Sequence, residues 1–367
     1  MHVYVHVPFC ARRCSYCDFA IAVRRRVPSE LFVATIQREW ALRQADPVWV
    51  ASPTIKTIYF GGGTPSRLEP GAVDEILARI ADDREIERSA EITLEANPDD
   101  VTLDRARAWR RAGVNRVSLG VQSFDPGVLN WMHRVHTAAD VPRAVEALRS
   151  AGIENLSLDL IFGLPAVLGR HWEADLNRAL SLQPEHLSLY GLTVEPHTVL
   201  GHKAGRGELT PVDEERYAAE FLLAHETLLS RGYDHYEVSN AALPGHQSRH
   251  NSAYWKRAPF IGLGPSAHSG YAGQRRWNLR EWAEYEGVVT AGGSPVGGVE
   301  QLAPEAIQLE ELYLGLRTSQ GLPPNRLESR VLEQWENSGW ARSTHGRVHL
   351  TPEGWLRLDA LVAAVSA

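Results

Sequence analysis

The stretch from Tyr4 to Cys17 reads YVHVPFCARRCSYC and contains every cysteine of this 367-residue chain. Cys10, Cys14 and Cys17 have the spacing CxxxCxxC and directly follow a short apolar run that is typical of a strand. Cysteine thiolates hold [4Fe–4S] clusters, and a fully protein-ligated cluster uses four of them. The spacing therefore predicts a cluster with three protein ligands and one iron left open to another ligand.

Structural zinc is the alternative for these cysteines, with a histidine as the fourth ligand. Such zinc sites usually assemble from two separated pairs of ligands, and the sequence has no second group of cysteines. Three unrelated buried thiols would seldom be spaced so closely. We therefore favour the cluster and keep zinc as the lesser alternative.

Composition and charge are those of an ordinary globular protein. Hydrophobic residues make up 44% of the chain and the formal net charge is −7, so no general attraction to nucleic acid is expected. An odd number of closely spaced cysteines favours a reducing compartment over a disulfide framework. The N-terminus lacks the basic and apolar regions of a signal peptide, and no apolar run reaches the roughly 18 residues that span a bilayer. We expect a cytoplasmic protein.

Arginines flank the cysteines as local exceptions to the acidic balance. Arg12 and Arg13 lie between the first two cysteines, and residues 24–26 are all arginine. A solvated charged loop is the favoured interpretation, ahead of a phosphate site.

The first two-thirds of the chain alternates strand-like and helix-like patterns. Six short runs rich in Val, Ile, Leu and Tyr predict strands at residues 3–8, 55–60, 91–95, 116–121, 156–162 and 186–192. Amphipathic helical patterns lie between them. This repetition predicts an α/β fold, a partial (β/α)6 barrel open on one side, with its chemistry at the C-terminal ends of the strands.

The pattern changes in the last third of the chain. A helix is predicted over 211–231, a strand over 233–240 and an irregular functional loop over 246–273. Two helices, a short strand at 347–350 and a final helix then suggest a small winged-helix-like module. That module is not clearly basic, so DNA binding is not expected. The predicted domains are the barrel core at 1–205, an extension at 206–300 and the helical or winged module at 301–367.

Several polar or glycine-rich segments follow the predicted strands. Residues 61–65 read GGGTP, and a glycine run after a strand indicates a tight turn or the close approach of a backbone or ligand. Glu95, Gln122, Arg134 and Asp159 also lie at or near strand ends. Polar groups beside apolar strands need partners, which can be internal hydrogen bonds or a bound ligand.

Together these segments resemble the HemN family of the radical S-adenosylmethionine (SAM) superfamily. The resemblance is carried by residues 4–10, 61–65, 120–124 and 159–165, and it covers nearly the whole chain. It implies that SAM chelates the open iron and that the reduced cluster can cleave SAM to a 5′-deoxyadenosyl radical. It also implies SAM contacts from Tyr4, Tyr16, Gly62, Gly63, Thr64, Glu95, Gln122, Arg134, Asp159 and Thr193.

The sequence departs from the oxygen-independent coproporphyrinogen III dehydrogenase of that family in two ways. Phe19 stands where that enzyme has a further cysteine, and the first strand begins at residue 3 without the enzyme's N-terminal extension. The dehydrogenase also holds a second SAM, close to the position of Tyr16. A radical oxidoreductase acting on a tetrapyrrole remains the alternative function, and no catalytic residue is assigned.

A second resemblance selects a branch of the family. Residues 249–255 read RHNSAYW, and with residues 260–269 they resemble the haem chaperones of this family. That resemblance implies haem binding and transfer. An imidazole can ligate haem iron, aromatic faces can pack on the macrocycle, and Arg249 or Arg257 can meet propionates. The candidate haem residues are His250, Asn251, Tyr254, Trp255 and His268, although loop hydrogen bonding and packing explain the motif equally well.

We therefore predict a haem carrier built on a cluster and SAM, without coproporphyrinogen dehydrogenase activity. A simple electron-transfer protein is a weaker alternative, because it would not need an open iron. The expected partners are haem, haem-accepting apoproteins and an electron donor for the cluster. A homodimer, and a peripheral membrane association through the haem acceptors, are left open.

Overall fold

The computed structural model describes residues 1–366. The strands are β1 (His2–Val7), β2 (Phe9–Cys10), β3 (Ala22–Val23), β4 (Ile55–Gly62), β5 (Ile86–Ala96), β6 (Arg116–Gln122), β7 (Asn155–Phe162), β8 (His186–Gly191), β9 (Asp234–Glu237), β10 (Asn240–Ala242), β11 (Phe260–Leu263), β12 (His268–Tyr271), β13 (Gln274–Asn278), β14 (Val296–Gln301), β15 (Ala341–Thr344) and β16 (Arg347–Leu350). The helices are α1 (Ser29–Arg43), α2 (Val48–Ala51), α3 (Pro70–Asp83), α4 (Leu103–Ala112), α5 (Pro126–Trp131), α6 (Asp140–Ser150), α7 (Trp172–Ser181), α8 (Val199–Gly205), α9 (Glu214–Ser230), α10 (Arg249–Trp255), α11 (Trp282–Thr290), α12 (Pro304–Arg317), α13 (Ser329–Asn337), α14 (Pro352–Trp355) and α15 (Leu358–Ser366).

One long sheet organises the chain. Its order is β14-β13-β12-β11-β1-β4-β5-β6-β7-β8-β10-β9. The strands from β1 to β8 in this order are parallel neighbours, and they are the six strands that the sequence predicts. The partial (β/α)6 barrel is therefore confirmed.

Alternation along the strands separates an apolar outer face from a polar interior. Val3, Val5 and Val7 of β1 are fully buried on the face that packs against helices. His2, before Val3, and Tyr4, between Val3 and Val5, point the other way and lie beside Thr57 and Tyr59 of β4 in the parallel register. Successive side chains of a strand lie on opposite faces, so a valine stripe on one face leaves polar groups on the other. This barrel consequently has a polar interior that can hold ligands.

The sheet continues past the barrel at both edges. β11 pairs with β1 in parallel, and β12, β13 and β14 add to it antiparallel. The prediction of an irregular loop over 246–273 was wrong, because this segment forms α10, β11 and β12. The strand predicted over 233–240 is instead the first part of the hairpin β9–β10. These elements are too short for hydrophobic periodicity to reveal them.

The C-terminal module packs on the preceding part of the chain through α12 and α14. The amide of Val238 donates to the carbonyl of Arg317 at the end of α12 over 3.2 Å, and the ring of Trp355 in α14 lies 5.0 Å from that of His235. Two helices, the β15–β16 hairpin and two further short helices give the module its winged shape. Across residues 1–366, no helix combines the length and apolar character needed to cross a membrane.

Candidate functional site: the cavity at the C-terminal end of the barrel

A cavity of about 500 Å³ opens at the C-terminal ends of the parallel strands. It brings together Cys10, Cys14 and Cys17 with the glycine turn after β4 and with polar residues from the ends of β5, β6, β7 and β8. A volume of this size is within the range of small-molecule sites, about 300–1,000 Å³. Residues far apart in sequence thus meet where the fold class places its chemistry.

The cysteine loop is held by backbone hydrogen bonds at both ends. The amide of Arg24, just after β3, donates to the carbonyl of Cys10 over 2.9 Å. Ser15, in the middle of the loop, donates its amide to Met132 over 3.2 Å and accepts from Leu200 over 3.0 Å. The loop is therefore a fixed part of the barrel rim.

The three thiols suit a cluster better than a single ion. Among residues 1–366, no group of three or more His, Cys, Asp or Glu side chains is arranged to hold one metal ion. Cluster ligands each bind a different iron and so need not converge on one point. Thr64 donates to the sulfur of Cys10 over 3.4 Å and Arg134 to that of Cys14 over 3.6 Å, and such donors stabilise thiolates. Burial raises the pKa of Cys17 to about 11, and iron ligation would oppose that by favouring the thiolate.

Internal packing explains the glycine turn. A Cβ atom on Gly62, whose φ is +111°, would lie 2.5 Å from the ring of His6, and one on Gly63 would lie 2.8 Å from the carbonyl of Pro8. The His6 ring hydrogen-bonds the carbonyl of Ala20 over 2.8 Å, so His6 has the structural place near the cysteine loop that we expected. The turn also lines the cavity, so both interpretations of the glycine run apply.

Two half-buried carboxyl groups line the cavity. Glu95 accepts from the hydroxyl of Tyr59 over 2.8 Å and from the amide of Gly62 over 3.0 Å. Burial raises the pKa of Glu95 to about 7 despite these bonds. Burial also raises the pKa of Asp159, while the hydroxyl of Ser118, 2.9 Å away, opposes that rise. The pair provides a negative, poorly solvated wall that favours a cationic ligand.

Arg134 provides the positive group of the cavity. Its Nη2 donates to Asn97 over 2.5 Å and to the carbonyl of Gly120 over 2.8 Å. Its Nε is buried and has no hydrogen-bond partner within residues 1–366. Arg134 also lines the cavity, so its positive charge is placed to pair with an incoming carboxylate. Gln122, in the left-handed region at φ 65°, lines the same wall. The residues thus fit an amino acid-like ligand such as the methionyl part of SAM.

Of the ten residues that the resemblance assigns to SAM, nine line this cavity. The exception is Tyr4, which lies beneath the glycine turn with its hydroxyl 3.1 Å from His6. Sequence reasoning missed Asn97, Ser118 and Tyr190, which also line the cavity. The two-residue alternation from Ser118 to Gly120 and from Ser188 to Tyr190 could have found the strand residues, because it puts them on the inner face.

The motif His250–Trp255, which has the pattern HNxxYW, lies at the opposite end of the barrel. Its helix α10 closes the N-terminal end, where the amides of Arg249 and His250 each donate to the carboxylate of Glu91 over 2.9 Å. The His250 ring is 1% exposed and uses both nitrogens, one 2.6 Å from the hydroxyl of Thr57 and one 2.8 Å from that of Tyr254. Burial holds the pKa of His250 well below its usual range, so the ring is neutral. His250 is a hydrogen-bonded part of the barrel floor.

The rest of the motif contacts the C-terminal module. The guanidinium of Arg317 lies 4.4 Å above the ring of Trp255, and Arg257 forms an ion pair with Glu310 at 2.9 Å. The backbone amide of Asn251 donates to the capping hydroxyl of its helix. A cavity of about 200 Å³ beside Tyr254 and Trp255 is below the range of ordinary small-molecule sites. The motif therefore joins the floor to the module.

His268 is placed differently from the motif. It belongs to β12, its side chain is exposed, and its ring lies 5.9 Å from that of Trp277. Burial of part of the ring, with the charge of Arg275, lowers the pKa of His268. A neutral imidazole at the surface is available to a metal ion without breaking a buried hydrogen bond.

Comparison with known proteins agrees with this geometry. Residues 4–179 match the family described as the Radical SAM superfamily. The haem chaperone HemW of Bacillus subtilis is 33% identical over 367 residues, covering 96% of this chain and 96% of that protein. HemW of Mycobacterium tuberculosis is 35% identical, covering 98% and 93%. The coproporphyrinogen III oxidase HemN of Escherichia coli superposes with a TM-score of 0.82 at 20% identity, covering 100% of this chain and 89% of that one.

The chain is thus a radical SAM protein, and within that superfamily it belongs to the family of the haem chaperone HemW. The superfamily implies a [4Fe–4S] cluster and SAM as cofactors, which removes the support for zinc. At 20% identity, the likeness to HemN shows the fold alone.

Proposed function

We propose that this protein is a haem chaperone that holds a [4Fe–4S] cluster and SAM and delivers haem to apoproteins. The observation that carries the proposal is the similarity to HemW over 96% of the chain, which takes in the extension and the C-terminal module as well as the barrel. Phe19 supports it, because this side chain is 64% exposed at the cavity and supplies no thiolate.

In this proposal Cys10, Cys14 and Cys17 hold the cluster, and the cavity holds SAM against it. A bound cluster supplies one open iron and a site that accepts an electron. Arg134 would take the methionyl carboxylate, and the carboxyl groups of Glu95 and Asp159 would attract the amino group or ribose hydroxyls. The other proposed contacts come from Tyr16, Gly62, Gly63, Thr64, Gln122 and Thr193, with Tyr4 supporting the turn from beneath.

Two histidines compete as the iron ligand of haem. Ligation by His250 would take one ring nitrogen from its buried partner, Thr57 or Tyr254, and would open the barrel floor, at a cost of about 1–3 kcal/mol for a buried group left unpaired. His268 is exposed and faces no such cost. The structure therefore supports His268, and the proposal assigns Asn251, Tyr254 and Trp255 to packing between floor and module.

The proposal includes an electron donor for the cluster and haem-accepting apoproteins as partners. It also includes a cytoplasmic location, supported by the three unpaired cysteines, because thiolates must stay reduced to bind iron. Peripheral membrane association would come through the acceptors.

The test is an anaerobic haem titration of the reconstituted protein, followed at the haem absorption band. The expected result is saturable binding of one haem at micromolar concentration, weakened about tenfold or more in His268→Ala, which corresponds to about 1.4 kcal/mol. Absence of saturable binding would reject the chaperone proposal. In a parallel arm, reduced protein receives SAM and coproporphyrinogen, and formation of protoporphyrinogen would establish the dehydrogenase alternative instead.

A further inference from the structure

An unpaired group of arginines surrounds the cysteine loop. The group consists of exposed side chains that have no ion-pair partner within residues 1–366, namely Arg12, Arg13, Arg24, Arg25 and Arg26. Other exposed arginines, such as Arg88, Arg107 and Arg111, also lack an ion pair within residues 1–366, so the distinctive feature of this group is that five exposed arginines surround one loop. Because the whole chain carries a net charge of −7, this arginine surface is a concentrated exception.

The backbone of the arginine surface is fixed to the first cluster ligand. β3 pairs with β2 so that Val23 lies beside Cys10, and the amide of Arg24 then donates to the Cys10 carbonyl over 2.9 Å. Arg67 donates from below to the carbonyls of Arg24 and Arg25 over 3.1 and 3.2 Å. The backbone of Arg24 and Arg25 is thus held, and the five exposed arginines concentrate positive charge around the loop, with the guanidinium of Arg24 donating to the carbonyl of Val23 over 2.9 Å.

The position of this surface suits electron entry. Arg12 and Arg13 lie between Cys10 and Cys14, and Arg24 is hydrogen-bonded to Cys10 itself. A partner on the arginine surface would therefore touch the protein shell of the cluster. Arg12 also lines the cavity and residues 24–26 do not, so a partner bound at residues 24–26 need not enter the cavity proposed for SAM.

We propose that the arginine surface is the docking site of a small acidic one-electron carrier, a flavoprotein or iron–sulfur protein, that reduces the cluster. This inference rests on the proposed cluster. One electron leaves the reduced carrier and enters the cluster, and no bond or proton changes place. Complementary charge speeds such encounters and makes them sensitive to salt. A polybasic surface can also bind anionic lipid, but the direct bonds to Cys10 favour the redox partner.

The experiment measures the rate at which a photoreduced acidic flavodoxin bleaches the cluster, by anaerobic stopped flow at low and high salt. The test variant is Arg24→Glu/Arg25→Glu/Arg26→Glu. The control variant, Arg88→Glu/Arg107→Glu/Arg111→Glu, makes the same charge change at exposed arginines on β5 and α4. Iron content and haem binding are measured on all three proteins, so that failure of the cluster or of the chaperone function is seen separately.

We expect the test variant to lose about tenfold or more of the second-order rate at low salt, with a flatter salt dependence. The control should change less than about twofold, and a small photochemical reductant should reduce all three proteins equally. An unchanged rate in the test variant, or equal losses in both variants, would overturn the proposal. So would loss of binding to anionic vesicles with no change in the reduction rate, which would assign the surface to lipid.

Discussion

The two ends of the barrel use the same strands but present their polar groups differently. At the floor, Glu91 receives two backbone amides of α10 and His250 has a partner for each ring nitrogen. At the open end, Glu95 keeps a pKa near 7, and Glu95 and Arg134 both line the cavity. Buried atoms without a partner within residues 1–366 occur at both ends, for example Nε of Arg134 at the open end and Nε of Arg116 at the floor. The difference is therefore access: polar groups of the floor are covered by α10, whereas those of the open end face a cavity that a ligand can enter.

The largest effect should come from removing a cluster ligand. Cys17→Ala leaves two thiolates at the open end, so we expect loss of nearly all cluster absorbance and iron after reconstitution. Iron analysis and visible spectra measure this, with Phe19→Ala as a control that alters the same loop without removing a ligand. Retention of a full complement of iron by Cys17→Ala would contradict the assignment of the cavity.

The next prediction compares the stability of two variants, one at the buried His250 of the floor and one at the exposed His268. His250→Ala leaves the hydroxyl of Tyr254 unpaired, removes one of the two partners of Thr57 and opens a hole in the floor, so the free energy of unfolding should fall by about 3 kcal/mol. His268→Ala is exposed and should change stability by less than about 0.5 kcal/mol. Denaturant unfolding measures both.

Haem affinity should show the opposite pattern, measured on folded protein at low temperature. His250→Ala should keep its affinity, and His268→Ala should lose it. If His250→Ala remained fully stable and lost haem binding, the floor would be a haem site and the contrast between the two ends would fail.

A smaller effect is expected when the positive charge of Arg134 in the cavity is removed. Arg134→Gln removes a charge-assisted contact to the proposed SAM carboxylate, worth about 1.5–3 kcal/mol, or about 10- to 100-fold in affinity. Equilibrium binding of SAM to cluster-loaded protein measures it. Arg143→Gln, an exposed arginine on α6, is the matched control and should bind SAM normally. Equal affinity in both variants would show that Arg134 serves only Asn97, Gly120 and Cys14.

The smallest expected effect is a pH dependence of the SAM affinity that follows from the raised pKa of Glu95. Its raised pKa, about 7, keeps part of the group protonated at neutral pH. As pH rises from 5.5 to 7.5 the carboxylate forms, and its attraction for the positively charged SAM should increase the affinity several-fold. Glu95→Gln should abolish this rise while leaving any dependence that comes from SAM itself. A rise of the same size in the variant would assign the titration to another group.

Much of the open end could be predicted from the sequence. The alternation of valines predicted β1. The cysteines and the glycine run each follow a strand, and together they predicted the position of the cavity, because the C-terminal ends of parallel strands share one edge of the sheet. The structure put nine of the ten proposed SAM contacts around that cavity. The floor could not be predicted in the same way. The motif at 249–255 is one short helix whose partner Glu91 is more than 150 residues away.

The sequence by itself predicted the proposed cluster ligands and determined the six parallel strands and the family, since each depends on local spacing or on similarity along the chain. Only the tertiary structure decided which polar residues are already satisfied. Whether His250 or His268 can meet an iron depends on burial and on the hydrogen bonds of both ring nitrogens, and these come from contacts between distant segments. The same holds for the arginine surface, whose lack of acidic partners within residues 1–366 follows from packing rather than from composition.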